Sequence, residues 1–312
     1  MNIASRLVPI VLSAAVVVSP AAAQDAPVPA DVVARVQAVL DSLHANGRFA
    51  GATAGIVLAD GTSYGFAVGQ SDSVLHLPMK PADRMLAGSV GKTFFGAVAL
   101  QLAHEGRIAL DDPLSKYLGS EPWWTDAAGR TRLPNGDDIT LRMLMNHTSG
   151  IVRYEFNPAF MAEVTKDPYR VWKPEEQIAF VLDTEPPFAA GEGWDYSDTN
   201  YILLAMVMEK VTGEDAVDMI RTRVLEPLGL FNTVPSSSPD IPGVVQGYAG
   251  SNNPFGGADA VLLGDGRFAF NPGFEWAGGG YASTAEDLAR WAKMLYEGDA
   301  FDASLMPQVL DG

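Results

Sequence analysis

Hydrophobic positions first fall on a helical period between Asp31 and Ala45. Val32, Val36, Val39, Leu40 and Leu43 share one face, Asp31 stands at the cap and Asn46-Gly47 supplies the stop. The pattern then changes to strand: Phe49 to Leu58 and Ser63 to Val68 flank Asp60-Gly61, a tight hairpin signal. Phe94 to Leu102 is an apolar run broken only by Gly96, which predicts a buried helix. From Asp111 to Gly229 the chain becomes helical and loop-rich. Helices are predicted at Leu141 to Asn146 after Thr140, at Glu175 to Leu182, at Asn200 to Val211 before Gly213, and at Glu214 to Leu228 before Gly229. Residues 232 to 272 are rich in Gly, Pro, Ser and Asn and read as extended loop. Glu275 to Ser283 reads as a strand, and Ser283 with Glu286 as a capping box for a helix to Tyr296.

Strands, then helices, then a strand again predict an α+β fold, an antiparallel sheet flanked by helices with an all-helical insert. Residues 24–110 and 270–312 would form the α/β part and 111–269 the insert, with a site between the two. The length of 312 residues, with 47% hydrophobic and 19% charged, is enough for a sizeable core.

Charge and the N-terminus narrow the partners. A net charge of −17 repels a phosphate backbone, so no nucleic acid is expected. Arg6, the apolar run Leu7 to Val18 and Ala21-Ala22-Ala23 have the form of a signal peptide, residues 1–23, with the mature chain starting near Gln24. The run is too short to span a bilayer, so contact with membrane is expected only through that transient leader, and the location is periplasmic or secreted. With no cysteine, the exported chain uses neither disulfides nor thiolate metal sites.

Candidate chemistry starts at Ala87-Gly88-Ser89-Val90-Gly91-Lys92-Thr93. Ser89 would sit at the start of the buried helix with Lys92 on the same face, so hydroxyl and amine can meet. The positive helix end and burial both disfavour an ammonium, which would leave a neutral amine as base beside a nucleophile. Ser and Lys three apart also arise by chance in a chain of this length. A phosphate loop is excluded, because its first glycine would fall at Leu86; no nucleotide is expected. Gly61-Thr62-Ser63-Tyr64-Gly65 imitates a nucleophile elbow but starts a strand, where that motif does not work. The loop Pro187 to Tyr201 delivers Tyr196 and Asp198 to the start of the Asn200 helix. Tyr196 suits a proton carrier or a buried tyrosine, and Asp198 suits a site residue or a helix cap. His44, His76 and His104 have no metal-ligand spacing, and no cofactor is expected.

Together, Ser89-Val90-Gly91-Lys92, Gly106 to Pro113, Leu144 to Gly150 with His147-Thr148-Ser149-Gly150, Tyr196-Ser197-Asp198 and Gly279 to Leu288 resemble the serine β-lactamase-related family. That family includes class C β-lactamases, D-alanyl-D-alanine carboxypeptidases, D-aminopeptidases and esterases. The resemblance runs from about residue 30 to the end and implies a β-lactamase/transpeptidase-like fold. It implies an exported serine hydrolase acting on D-amino-acid peptides, β-lactams or esters, a small-molecule or peptide substrate that includes peptidoglycan.

Residue by residue, the resemblance implies Ser89 as acylated nucleophile, Lys92 as proton relay and Tyr196 as general base and acid. His147 would belong to a structural turn. Asp198 stands where the family has Asn; as a substrate-binding residue it would pair with Lys92 and hold it charged, and it cannot donate to a carbonyl. The family's third motif, Lys or His followed by Thr or Ser and Gly, has no counterpart after the Ser283 helix. The sequence therefore reads as a fragment with C-terminal strands missing, and a catalytically impaired peptidoglycan- or penicillin-binding protein is the alternative. Tyr154, Phe156, Trp276 and Tyr281 are candidates for lining the cleft, with core packing as their alternative.

Overall fold

The structure, a computed structural model, describes residues 30–248 and 259–310; the expected leader, 1–23, lies outside them. Helix α1 (Ala30–Asn46) lies against a hairpin of β1 (Gly51–Val57) and β2 (Ser63–Asp72), and Gln37 Nε2 donates to Ala67 O at 3.1 Å. The hairpin is in register from Gly51 opposite Gly69 to Val57 opposite Ser63. Its turn uses the side chain of Asp60, which accepts from Thr62 N at 2.9 Å. The short β3 (Leu77–Pro78) adds to β2 past a bulge between Gln70 and Asp72. In place of one sheet there are two: the order β1-β2-β3, and a second built from β4 (Met85–Leu86), β5 (Val234–Pro235) and β6 (Tyr281–Ser283) in the order β4-β6-β5. The outer edge of β1 meets no strand among the described residues.

The core is helical. Helix α2 (Gly91–His104) buries Phe94, Phe95, Val98, Leu100 and Leu102. Apolar all round, such a helix has to be wrapped by others. The helices α3 (Ser115–Leu118), α4 (Leu141–Met145) and α6 (Pro174–Ile178) pack on α7 (Asp198–Thr212), which with α8 (Ala216–Ile220) lies against α2, and α5 (Pro158–Lys166) joins the same core through Phe160. Helix α7 is as buried as α2, from Ile202 to Met208, and ends at Gly213 in the left-handed conformation (φ 76°). Helices α9 (Ala285–Glu297) and α10 (Met306–Leu310) follow the second sheet. The α+β class is as predicted, with the helices long where the apolar runs are long.

Four predicted elements differ. The helix predicted at Glu175–Leu182 keeps only α6 and then tightens into turns, Phe180 N to Gln177 O and Val181 N to Ile178 O, which carry Val181 into the core. Glu214–Leu228 splits into α8 and a wider turn, Arg221–Leu225, closed by Glu226 N on Arg221 O at 2.9 Å. The strand predicted at Glu275–Ser283 is a 3-10 turn, Pro272–Gly278, followed by β6 alone. Pro272 at its first position and the Asn271 side chain, accepting from Gly273 N at 3.0 Å, favour a helical turn over a strand. The cap of α9 is Thr284, accepting from Asp287 N at 3.2 Å, while Ser283 and Glu286 bond to Thr233 and Ser63.

Sheet and helix meet closely at Gly55, where an added Cβ would lie 2.1 Å from Ala285 O. That contact is backbone and cannot yield as a side chain does. Gly55→Ala is expected to lower stability by about 1–3 kcal/mol, the range for overpacking. Chemical unfolding measures it, and an unchanged midpoint would refute the close approach.

Candidate active site

Ser89 is exposed in a 3-10 turn, Gly88–Val90, that runs directly into α2. Lys92, in the first helical turn, is only 4% exposed. Its ammonium donates to Ser89 Oγ at 3.2 Å, to Asp198 Oδ1 and to Gly278 O. The contact with Asp198 is the pairing that the resemblance implies, and the Gly278 carbonyl is a second acceptor on the same amine.

Asp198 is the first residue of α7 and does not cap it; Ser197 holds the cap position. Asp198 Oδ1 faces Lys92, and Oδ2 accepts from Arg153 Nη2 at 2.8 Å. Burial opposes its ionisation, yet the adjoining Glu155 carboxyl, Lys92 and Arg153 outweigh that and hold Asp198 below the usual carboxylate range.

Tyr196 arrives from the preceding loop. Its ring centroid lies 4.9 Å from Lys92 Nζ and 5.2 Å from Arg153 Cζ. The phenol oxygen is buried, with no hydrogen-bond partner among the described residues. The structure therefore joins Ser89, Lys92 and Asp198 in one hydrogen-bonded set and lays Tyr196 beside the amine, unbonded to it. The His147 ring also lies against Tyr196, with centroids 4.3 Å apart and planes tilted by 33°. His147 has φ 63° and its Nδ1 accepts from Ser197 N at 3.2 Å, so the His-Thr-Ser-Gly turn fixes the segment that carries Tyr196 and Asp198. Burial, then the charge of Lys92, push His147 down to about 4, so it is neutral.

The floor is made of glycine. A Cβ on Gly91 would meet the backbone of Gly279 at 2.8 Å, and one on Gly279 (φ 138°) would meet Gly88 O at 2.5 Å. This crossing presses the Gly278–Gly280 segment onto the serine turn and brings Gly278 O to Lys92. The turn before it contains Trp276 at φ 36°. Of the aromatic candidates, Tyr154 and Tyr281 are core residues: Tyr154 bonds Phe274 O at 3.0 Å, and Tyr281 packs 5.3 Å from Phe94. Phe156 is exposed, with Arg153 Cζ 4.1 Å over its ring. Ser63 gives its hydroxyl to Glu286 at 2.6 Å on β2, far in sequence from this set.

The comparison with known proteins turns on one match: a family model described as Beta-lactamase covers residues 36–311. The chain belongs to the Beta-lactamase family. A D-stereospecific amidohydrolase from a Streptomyces species superposes with TM-score 0.70 at 32% identity, over 88% of this chain and 75% of that one. D-alanyl-D-alanine-carboxypeptidase/endopeptidase AmpH of Escherichia coli K12 is 27% identical over 69% of this chain and 50% of its own. Esterase EstB of Burkholderia gladioli is 27% identical over 64% of this chain and 51% of its own. The chain spans about half the length, or less, of the curated relatives it matches. These family relatives are hydrolases by name.

Sequence reading missed three charged residues of this site in the Beta-lactamase fold. Arg153 bridges Asp198 and Glu155, donating from Nε to Glu155 Oε1 at 2.6 Å. Glu155, through burial and the neighbouring Asp198, is pushed up to about 8. Burial first, with Asp198 adding to it against Lys92, pushes Glu275 up to about 7. The available signal was position: Arg153 and Glu155 follow directly on the His-Thr-Ser-Gly turn, and Glu275 precedes the glycine run.

Because His147 is held neutral below its ordinary value of 6.5, it contributes stability above that pH, and the contribution is lost as pH falls toward about 4. The stability gap between wild type and His147→Asn should shrink on acidification across that window, by at most about 3 kcal/mol. Urea unfolding at each pH measures the gap; a constant gap would contradict a buried neutral imidazole.

Proposed function

We propose that this chain is an exported serine hydrolase, periplasmic or secreted, that forms an acyl-serine intermediate on a D-amino-acid amide or peptide, or on an ester. The observation that carries the reading is the exposed Ser89 hydroxyl 3.2 Å from the buried Lys92 ammonium, with the Tyr196 ring 4.9 Å from the same nitrogen. The D-stereospecific amidohydrolase, carboxypeptidase and esterase names of its relatives support that substrate range.

In this reading Ser89 Oγ attacks the substrate carbonyl carbon. Lys92, paired with Asp198, stays charged; its hydrogen bond to Oγ stabilises the developing alkoxide rather than removing the proton. The proton goes to Tyr196 reacting as the phenolate, whose negative charge the nearby Lys92 and Arg153 compensate, and Tyr196 is left as the neutral phenol. Tyr196 then hands it to the leaving amine or alcohol, and water releases the acyl group by the reverse path. The backbone N–H of Ser89 serves the oxyanion. Asp198 positions Lys92 and accepts from the substrate.

Ser89→Ala should abolish covalent labelling by a fluorophosphonate and lower hydrolysis of a chromogenic ester by at least about a thousandfold. Tyr196→Phe should keep the fold and lose about a hundred- to ten-thousandfold in kcat. Wild type that takes no label on Ser89 would defeat the reading.

A second reading rests on the same ammonium. Lys92 has its donors engaged by Asp198, Gly278 O and Ser89, an arrangement that also suits a protein that binds peptidoglycan or a penicillin without turnover. Turnover of the ester by wild type, absent in Ser89→Ala, would dismiss that alternative.

A further inference from the structure

We propose that Glu155 is a positioning residue that shares one proton with Asp198, so that the two carboxyls carry a single negative charge against Lys92. The proposal rests on the serine-hydrolase reading and deepens it.

The geometry starts from two acceptors. One guanidinium holds both carboxyls: Arg153 donates from Nη2 to Asp198 Oδ2 at 2.8 Å and from Nε to Glu155 Oε1 at 2.6 Å, which sets Glu155 beside Asp198. Glu155 Oε1 accepts from Arg153, while Oε2 is buried and no donor among the described residues reaches it. Two ionised carboxylates side by side, one with a buried empty acceptor, repel each other and leave that oxygen unsatisfied. One proton between them removes both costs: the Glu155 O–H donates, and Asp198 accepts. Glu155 takes the proton because Asp198 faces both cations, Lys92 through Oδ1 and Arg153 through Oδ2. The surrounding charges favour this division. Arg153 comes from the turn of Glu155 itself, Asp198 from α7, Lys92 from α2 beyond Asp198, and Glu275 from the Pro272–Gly278 turn. The neutral His147 lies behind Tyr196.

The shared proton has a consequence for the serine. With a single charge on the pair, Asp198 stays between Lys92 and Arg153 and Lys92 stays on Ser89 Oγ. When Glu155 loses its proton, a second negative charge appears beside Asp198 and pulls Arg153 between two full carboxylates. The hydrogen-bonded set then loosens, although no atom of Glu155 touches the serine.

The test is a pH profile of kcat/KM for a chromogenic ester, with wild type, Glu155→Gln and Asp198→Asn. Wild type should lose activity as pH rises through about 8, about tenfold per unit beyond it, mainly in kcat. Glu155→Gln, a permanent neutral donor, should remove that limb. Asp198→Asn takes away the adjacent charge and should move the limb to lower pH. A limb at the same pH in all three proteins would overturn the proposal.

A readout without activity accompanies it. Glu155 in the folded chain keeps a proton that the unfolded chain releases above its ordinary value of 4.5, so its contribution to stability is lost as pH rises from there to about 8. Over that window wild type should lose stability relative to Glu155→Gln in urea unfolding; a flat difference overturns the shared proton. If wild type takes no fluorophosphonate on Ser89, the hydrolase reading fails while this unfolding comparison still decides the proton.

Discussion

The ion pair between Lys92 and Asp198 is the constraint on which the site depends. Both groups lie largely out of water, and each alone would be a buried charge. Removing one partner of such a pair costs about 3–5 kcal/mol, because the other is left without compensation. The pair also ties the first turn of α2 to the first turn of α7, the two most buried helices. Packing and chemistry are therefore coupled: the apolar bodies of these helices fill the core, and their N-terminal ends meet at charge.

Each other part of the site is delivered by a separate local device. The glycine crossing sets the height of the serine turn. The Asn271 cap and Trp276 shape the turn that presents Gly278 O. His147 grips the backbone of Ser197, and Asn135 Nδ2 holds Ser149 O at 2.9 Å and Phe188 O at 2.9 Å, joining the two loops on either side. Edge-to-face packing of Tyr281 against Phe94 fastens β6 to α2. Segments far apart in the chain are thus brought to one place by short-range bonds, with the hydrophobic core as the common base.

Much of this was readable from the chain, and the reasons for the rest are physical. Long apolar runs gave α2 and α7, because burial on all sides leaves a composition signal that survives any detail. Ser89 and Lys92 were readable because a helix puts residues three apart on one face. The strand expected at Glu275–Ser283 passed over its three glycines and the residues before it, where Pro272 and the Asn271 side chain decide for a turn. The pairing of Lys92 with Asp198 was legible only through the resemblance; the carboxylate lies on α7, and spacing along α2 does not give that distance. Arg153 and Glu155 escaped for the same reason, since their roles exist only once Asp198 stands beside them.

The glycine crossing has a further meaning for the reach of the nucleophile. From Gly278 to Gly280 the segment under the serine turn is buried main chain, and a Cβ on Gly279 would meet Gly88 O at 2.5 Å. Any side chain there would have to lift the turn and carry the hydroxyl away from its lysine. How far the serine extends is therefore measured by missing atoms, a ruler made of empty space.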